Sequence, residues 1–88
     1  MALAPSPVVA LNRAVAVAEL EGAAAALRIV DALDLSNYHL LHAVRADLLR
    51  RLGRDADAAA AYQVAIEKCG NAREREFLEQ QYRAIVAN

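Results

Sequence analysis

Tryptophan is absent and aromatic residues make up only 5% of this 88-residue chain, so there is no material for an aromatic platform that stacks bases or holds a sugar. Neither sign of charge is in excess: the net charge of −1 excludes a segment that clamps a phosphate backbone by charge alone, and no direct DNA binding is expected. A single cysteine, Cys69, rules out an internal disulfide and a cysteine-rich zinc cluster. It fits a reducing compartment, and the cytoplasm is the expected location. No run of about 18 apolar residues exists, so no membrane span is expected. The opening Met1-Ala2-Leu3-Ala4-Pro5-Ser6-Pro7 lacks the basic region and apolar stretch of a secretory signal.

What the chain does have is alanine and helical periodicity. Hydrophobic residues reach 58%, and much of that is alanine, which favours helix and close helix approach while burying little area per residue. The length suits one small domain. Residues 1–6 read as a linker, with Ser6 as N-cap and Pro7 as the first helical residue. From Val8 to Leu20 the first helix is apolar nearly all round, a surface that normally packs on more than one side. Gly22 ends it. A second helix over Ala23 to Leu33 turns Leu27, Val30 and Leu33 inward, and a turn at Asp34 to Asn37 leads to a third over Tyr38 to Leu52, stopped by Gly53 in a left-handed conformation. Asp55 is the expected cap of a fourth helix, Ala56 to Lys68, striped by Ala58, Ala61, Tyr62, Ala65 and Ile66, with Gly70 as its C′ residue. Asn71 and Glu74 form a capping-box variant opening a fifth helix to about Ala87, striped by Phe77, Leu78, Tyr82 and Ile85 and charged elsewhere.

Gly22 and Gly53 define an internal period close to that of tetratricopeptide (TPR) repeats. The expected fold is all-α: a TPR-like right-handed superhelix over residues 7–88, made of two helical hairpins and a C-terminal capping helix, five helices in all. Aligning the glycines sets Asn12 against Ala43, Ala16 against Asp47 and Glu19 against Arg50, so the odd-numbered helices should present corresponding faces on one side.

The strings Leu11-Asn12-Arg13-Ala14 and Tyr38-His39-Leu40-Leu41, with Arg45-Ala46-Asp47-Leu48-Leu49-Arg50-Arg51-Leu52-Gly53-Arg54, Gly70-Asn71-Ala72 and Glu76-Phe77-Leu78, are more specific than the TPR signature. They resemble the C-terminal TPR-like extension of bacterial extracytoplasmic-function (ECF) RNA polymerase sigma factors. The resemblance implies a C-terminal fragment of a longer transcription initiation factor. Its promoter-reading parts are not in this segment, which would regulate or scaffold through contact with the upstream sigma domains and RNA polymerase core. The alternative is a TPR-like module that senses a peptide or small ligand on the face around Asn12, Asp47 and Arg50.

No Ser-His-Asp arrangement, Gly-rich phosphate loop or H-E-x-x-H occurs, so an enzyme is not expected and no cofactor is implied. His39 and His42 lie one turn apart, but without an acid or thiol at helical spacing they read as structural, one of them bonding across the hairpin, and no metal is expected. Asn12 and Arg13 interrupt the apolar first helix and admit two readings: Asn12 bonded to a neighbouring backbone with Arg13 paired to Glu21 or another acid, or both exposed to a partner in the groove. Arg45, Arg50, Arg51 and Arg54 form a basic edge, partly offset by Asp47, Asp55 and Asp57, that reads as a solvated surface or as a contact for an acidic partner. The protein-binding candidates are therefore Asn12, Arg13, Glu19, His39, Asp47, Arg50 and Arg51, and the apolar first helix is expected to pair two copies through residues 7–20.

Overall fold

A computed structural model describes residues 7–33 and 38–87, with side chains from Val9 onward in the first helix. The linker 1–6, the Ser6 cap and the Asp34 to Asn37 turn lie outside these residues. Five helices follow in order: α1 (Pro7–Glu21), α2 (Ala23–Ala32), α3 (His39–Arg51), α4 (Asp55–Lys68) and α5 (Ala72–Val86). Each packs chiefly on its sequence neighbours, and α1 also touches α3. The result is an all-α array of a bundle or solenoid kind, 48 × 30 × 17 Å in extent.

Two glycines set the turns. Gly22 alone separates α1 from α2, at φ 100° and ψ 161°, a region that essentially only glycine occupies. Gly53 takes φ 76°. There the Gly53 N–H donates to Arg50 O at 3.0 Å and the Arg54 N–H to Leu49 O at 2.9 Å, the paired bonds of a Schellman closure. Gly70 behaves otherwise. It follows Cys69, which leaves α4 in an extended conformation, and it has no positive φ, so the expected C′ glycine stands at the right place without a left-handed turn.

The caps also divide. Asn71 Oδ1 accepts from the backbone N–H groups of Arg73 and Glu74, at 2.9 and 3.1 Å. Asp55, expected to cap α4, is instead its first residue; Arg54 holds the cap position without a side-chain cap bond. Asp55 and Asp57 still place negative charge in the first turn, where the helix dipole favours it.

The core joins all five helices, and seven of its sixteen buried residues are alanine. Among the described residues, Leu48, Leu49 and Val30 are the largest that are fully enclosed. Small side chains let α4 lie close against α3: Ala58 and Ala65 are wholly buried, with Ala61 and Tyr62 nearly so. On α5 Leu78 is buried, and Tyr82 and Ile85, partly buried, pack against the core with it. Phe77 departs from the expected stripe at 58% exposed, because Leu78, Tyr82 and Ile85 repeat at four and three residues and the position before Leu78 lies about 100° round the helix.

Candidate protein-interaction face

One face of α3 carries Leu40, Ala43, Val44, Asp47, Leu48 and Arg51, spaced by threes and fours as a helix requires. Three hollows share these residues. One of about 120 Å³ is bounded by Leu11, Asn12 and Val15 of α1 with Leu40 and Val44. A second of about 170 Å³ lies between Val15 and Ala18 of α1 and Ala43, Val44, Asp47, Leu48 and Arg51. The third, about 230 Å³, runs from His39, Leu40 and Ala43 to Glu74, Phe77 and Leu78 of α5. Together they form a shallow, mostly apolar trough with α3 as floor and α1 and α5 as walls. A larger hollow of about 410 Å³ opens between α4 and α5, lined by Gln63, Ile66, Glu67, Glu79, Tyr82 and Arg83. It offers little for docking, since charged side chains ring it and Gln63 Nε2 donates to the Tyr82 hydroxyl across it at 2.9 Å.

The expected interaction residues separate on this frame. Asn12 lines the trough beside Leu40 and Val44 of α3. It and Arg13 are exposed, so the burial cost that demanded partners does not arise, and the described residues show no Arg13–Glu21 pair. Glu19 instead accepts from Arg51 at 3.3 Å, closing one end of the trough from α1 to α3. Asp47 binds both Arg51, at 3.0 Å, and Arg50. Arg50 pairs with Asp47 and meets Tyr62 of α4, and it lines none of the three hollows. His39 Nε2 lies 2.7 Å from Glu74 Oε2, so its bond runs to α5 rather than across the α3–α4 hairpin.

The basic edge is neutralised in place. Arg45 pairs with Asp31 of α2 at 2.8 Å, Arg54 with Asp57 at 2.7 Å, and Arg50 and Arg51 with Asp47. Such exposed pairs contribute little stability each. What they do is satisfy the arginines, leaving no cluster of unpaired cations for a phosphate chain on this helix.

Asp47, Arg50 and Tyr62 form a network between α3 and α4. The Asp47 carboxylate, then the Tyr62 hydroxyl, hold the Arg50 guanidinium above its ordinary pKa. Burial pushes the Tyr62 phenol up, and the negative Asp47 adds to this, while Arg50 pulls it partly back. The native state thus holds the phenolic proton more tightly than the unfolded chain. This contribution is complete below the unfolded phenol pKa of about 10 and is lost as pH rises through the raised native value. Urea midpoints between about pH 9 and 11 should fall, and Tyr62→Phe should flatten that fall while costing about 0.5–1.5 kcal/mol near neutrality. An unaltered alkaline slope in the variant would mean that other groups control it.

Sequence reasoning missed two participants. Phe77, taken for core, is an exposed wall of the trough. Glu74 does not turn back to the Asn71 N–H to complete a capping box; its carboxylate reaches His39 and, at 3.7 Å, the Cys69 sulfur. His39 therefore has beside it the acid and the thiol that its own helix does not offer within two turns. The signal was Glu74 beside a capping Asn71 and Cys69, but only the fold could bring α3 to them.

Among the described residues no helix is long and apolar enough to cross a membrane. The chain is 45% identical over 87 residues to an uncharacterized protein of Rhizobium meliloti, a match that covers 97% of this chain and 21% of the relative. The chain thus spans about a fifth of the length of that curated relative. No family model matches it, and no solved structure does.

Proposed function

We propose that this chain is a protein-interaction domain of TPR-like build, and that it is the regulatory or scaffolding extension of an ECF-type sigma factor. The α1–α3–α5 trough docks on the upstream sigma domains of the same polypeptide and holds them in the arrangement that engages RNA polymerase core. The observation that carries the reading is the continuous trough itself: apolar along its floor, edged by Asn12, Glu19, Asp47 and Arg51, and bounded by the exposed Phe77. Two more apolar side chains are exposed on α1, Val9 at 54% and Leu20 at 84%. An apolar trough rimmed by polar residues marks an interaction site. The relative supports a partner in cis, since it carries a homologous segment within a chain several times longer. Arg13 is exposed on α1 and lines none of the three hollows.

Sedimentation and transcription test this together. Alone, the chain should self-associate at micromolar concentration through residues 7–20. Adding the upstream sigma region should replace that dimer with a one-to-one complex. In a reconstituted assay, removing everything from Pro7 onward from the full-length protein should impair promoter-specific initiation, because so apolar a helix suits a standing interface rather than a lid released into water. A gain in initiation would make the domain an inhibitory lid. Unchanged initiation together with unchanged polymerase affinity would overturn the scaffolding reading and put ligand sensing in its place.

A further inference from the structure

Three side chains remote in sequence converge where α3 begins, α4 ends and α5 begins. His39 is the first residue of α3, Cys69 closes α4, and Glu74 lies in the first turn of α5. His39 Nε2 stands 2.7 Å from Glu74 Oε2, Cys69 Sγ stands 3.7 Å from the same oxygen, and the three donor atoms all lie within 4.8 Å of one another.

A histidine–glutamate pair beside a small buried thiol is the plain account of this cluster. It leaves the thiol overcommitted. Cys69 is 3% exposed, and its sulfur faces two oxygens, the Asn71 carbonyl at 3.3 Å and the Glu74 carboxylate, with one S–H proton to give. A buried sulfur, an imidazole nitrogen and a carboxylate oxygen turned toward one point suit a cation. The mixture of one soft and two borderline or hard donors is the set zinc takes. Zinc bonds of about 2.3 Å to sulfur and about 2.0 Å to nitrogen or oxygen, at tetrahedral angles, set donors roughly 3.3–3.6 Å apart. The observed spacings bracket that range, so shifts of about an ångström in the exposed Glu74 and half-buried His39 side chains would suffice.

The surroundings hold the donors in place. Arg75 donates to the Cys69 carbonyl at 3.0 Å, fixing the turn that carries the thiol. The Tyr38 ring stands edge-on to the His39 ring with centroids 5.7 Å apart. Entry is through the Glu74 side, which is 46% exposed.

We infer that His39, Cys69 and Glu74 bind one zinc ion, which clips α5 and the α4–α5 turn to the start of α3. Water fills the fourth position. Binding displaces the thiol proton to solvent, since the thiolate is the ligand, and the Nε2 proton that His39 gives Glu74 moves to Nδ1 or, where Nδ1 is already protonated, to solvent. This inference needs only the fold and does not rest on the sigma-factor reading.

Cobalt(II) titration of the reduced, metal-free chain tests it. One cobalt per chain should bind with a thiolate-to-metal charge-transfer band and the visible bands of tetrahedral cobalt, and zinc should displace it. Cys69 is the chain's sole cysteine, so the charge-transfer band reports this site alone. Cys69→Ser should abolish the band, His39→Gln and Glu74→Gln should each weaken zinc binding roughly tenfold or more, and His42→Gln should leave it unchanged. A wild-type chain with no thiolate band overturns the inference, whatever the variants do. So does a ratio of one metal to two chains, or zinc affinity unchanged in both His39→Gln and Glu74→Gln.

Discussion

Replacing Leu49 with alanine is expected to cost about 2–5 kcal/mol, enough to leave much of the chain unfolded at moderate temperature. Domains of this size have only about 5–15 kcal/mol to lose. Leu49 is one of the largest fully enclosed side chains among the described residues, and it sits on α3, which packs on α1, α2 and α4. Much of the remaining core is alanine, so few long side chains are present to relax into the vacated space. Urea denaturation followed by circular dichroism measures the loss, with Leu52→Ala as comparison, since Leu52 is 39% exposed at the end of α3. Equal losses at the two positions would mean that the centre of α3 is not the stabilising layer described.

Enlarging Ala65 to leucine is expected to be the next most damaging change, costing about 1–3 kcal/mol through overpacking. Ala65 has no exposed surface and lies on the face of α4 that meets α3. There the small side chain sets the distance between helices, and a longer one must push them apart or take a strained rotamer. Ala60→Leu, on the exposed side of the same helix, should be nearly neutral, and Arg54→Ala should lose only an exposed pair with Asp57. Thermal denaturation separates these cases. A harmless Ala65→Leu would show that α3 and α4 are not in close approach.

Much of this architecture was legible because local chemistry and tertiary structure agree. Gly53 and Gly22 mark turns that need glycine's backbone freedom, Asn71 caps α5, and the alanine stripe around Tyr62 lies against α3. The site was legible only in part. Asn12 lines the trough, whereas Arg50 lines none of its three hollows and meets Asp47 and Tyr62, a contact that no spacing rule encodes. Glu74 was misplaced for a similar reason. A capping box is a local preference, and here a histidine from a distant helix competes for the same carboxylate. Phe77 was read as core because aromatics usually are, and its neighbour Leu78 is.

The alanine-rich core also bears on how this domain responds to temperature. A buried methyl removes little apolar surface from water, while helices brought close together bury a larger share of peptide groups. On unfolding, exposed apolar surface raises the heat capacity and exposed polar surface lowers it. With seven alanines among sixteen core residues, the increment should be small for a chain of this length. The curvature of stability with temperature scales with that increment. The domain should therefore have a shallow, broad stability curve, with protection that changes little between cold and warm conditions.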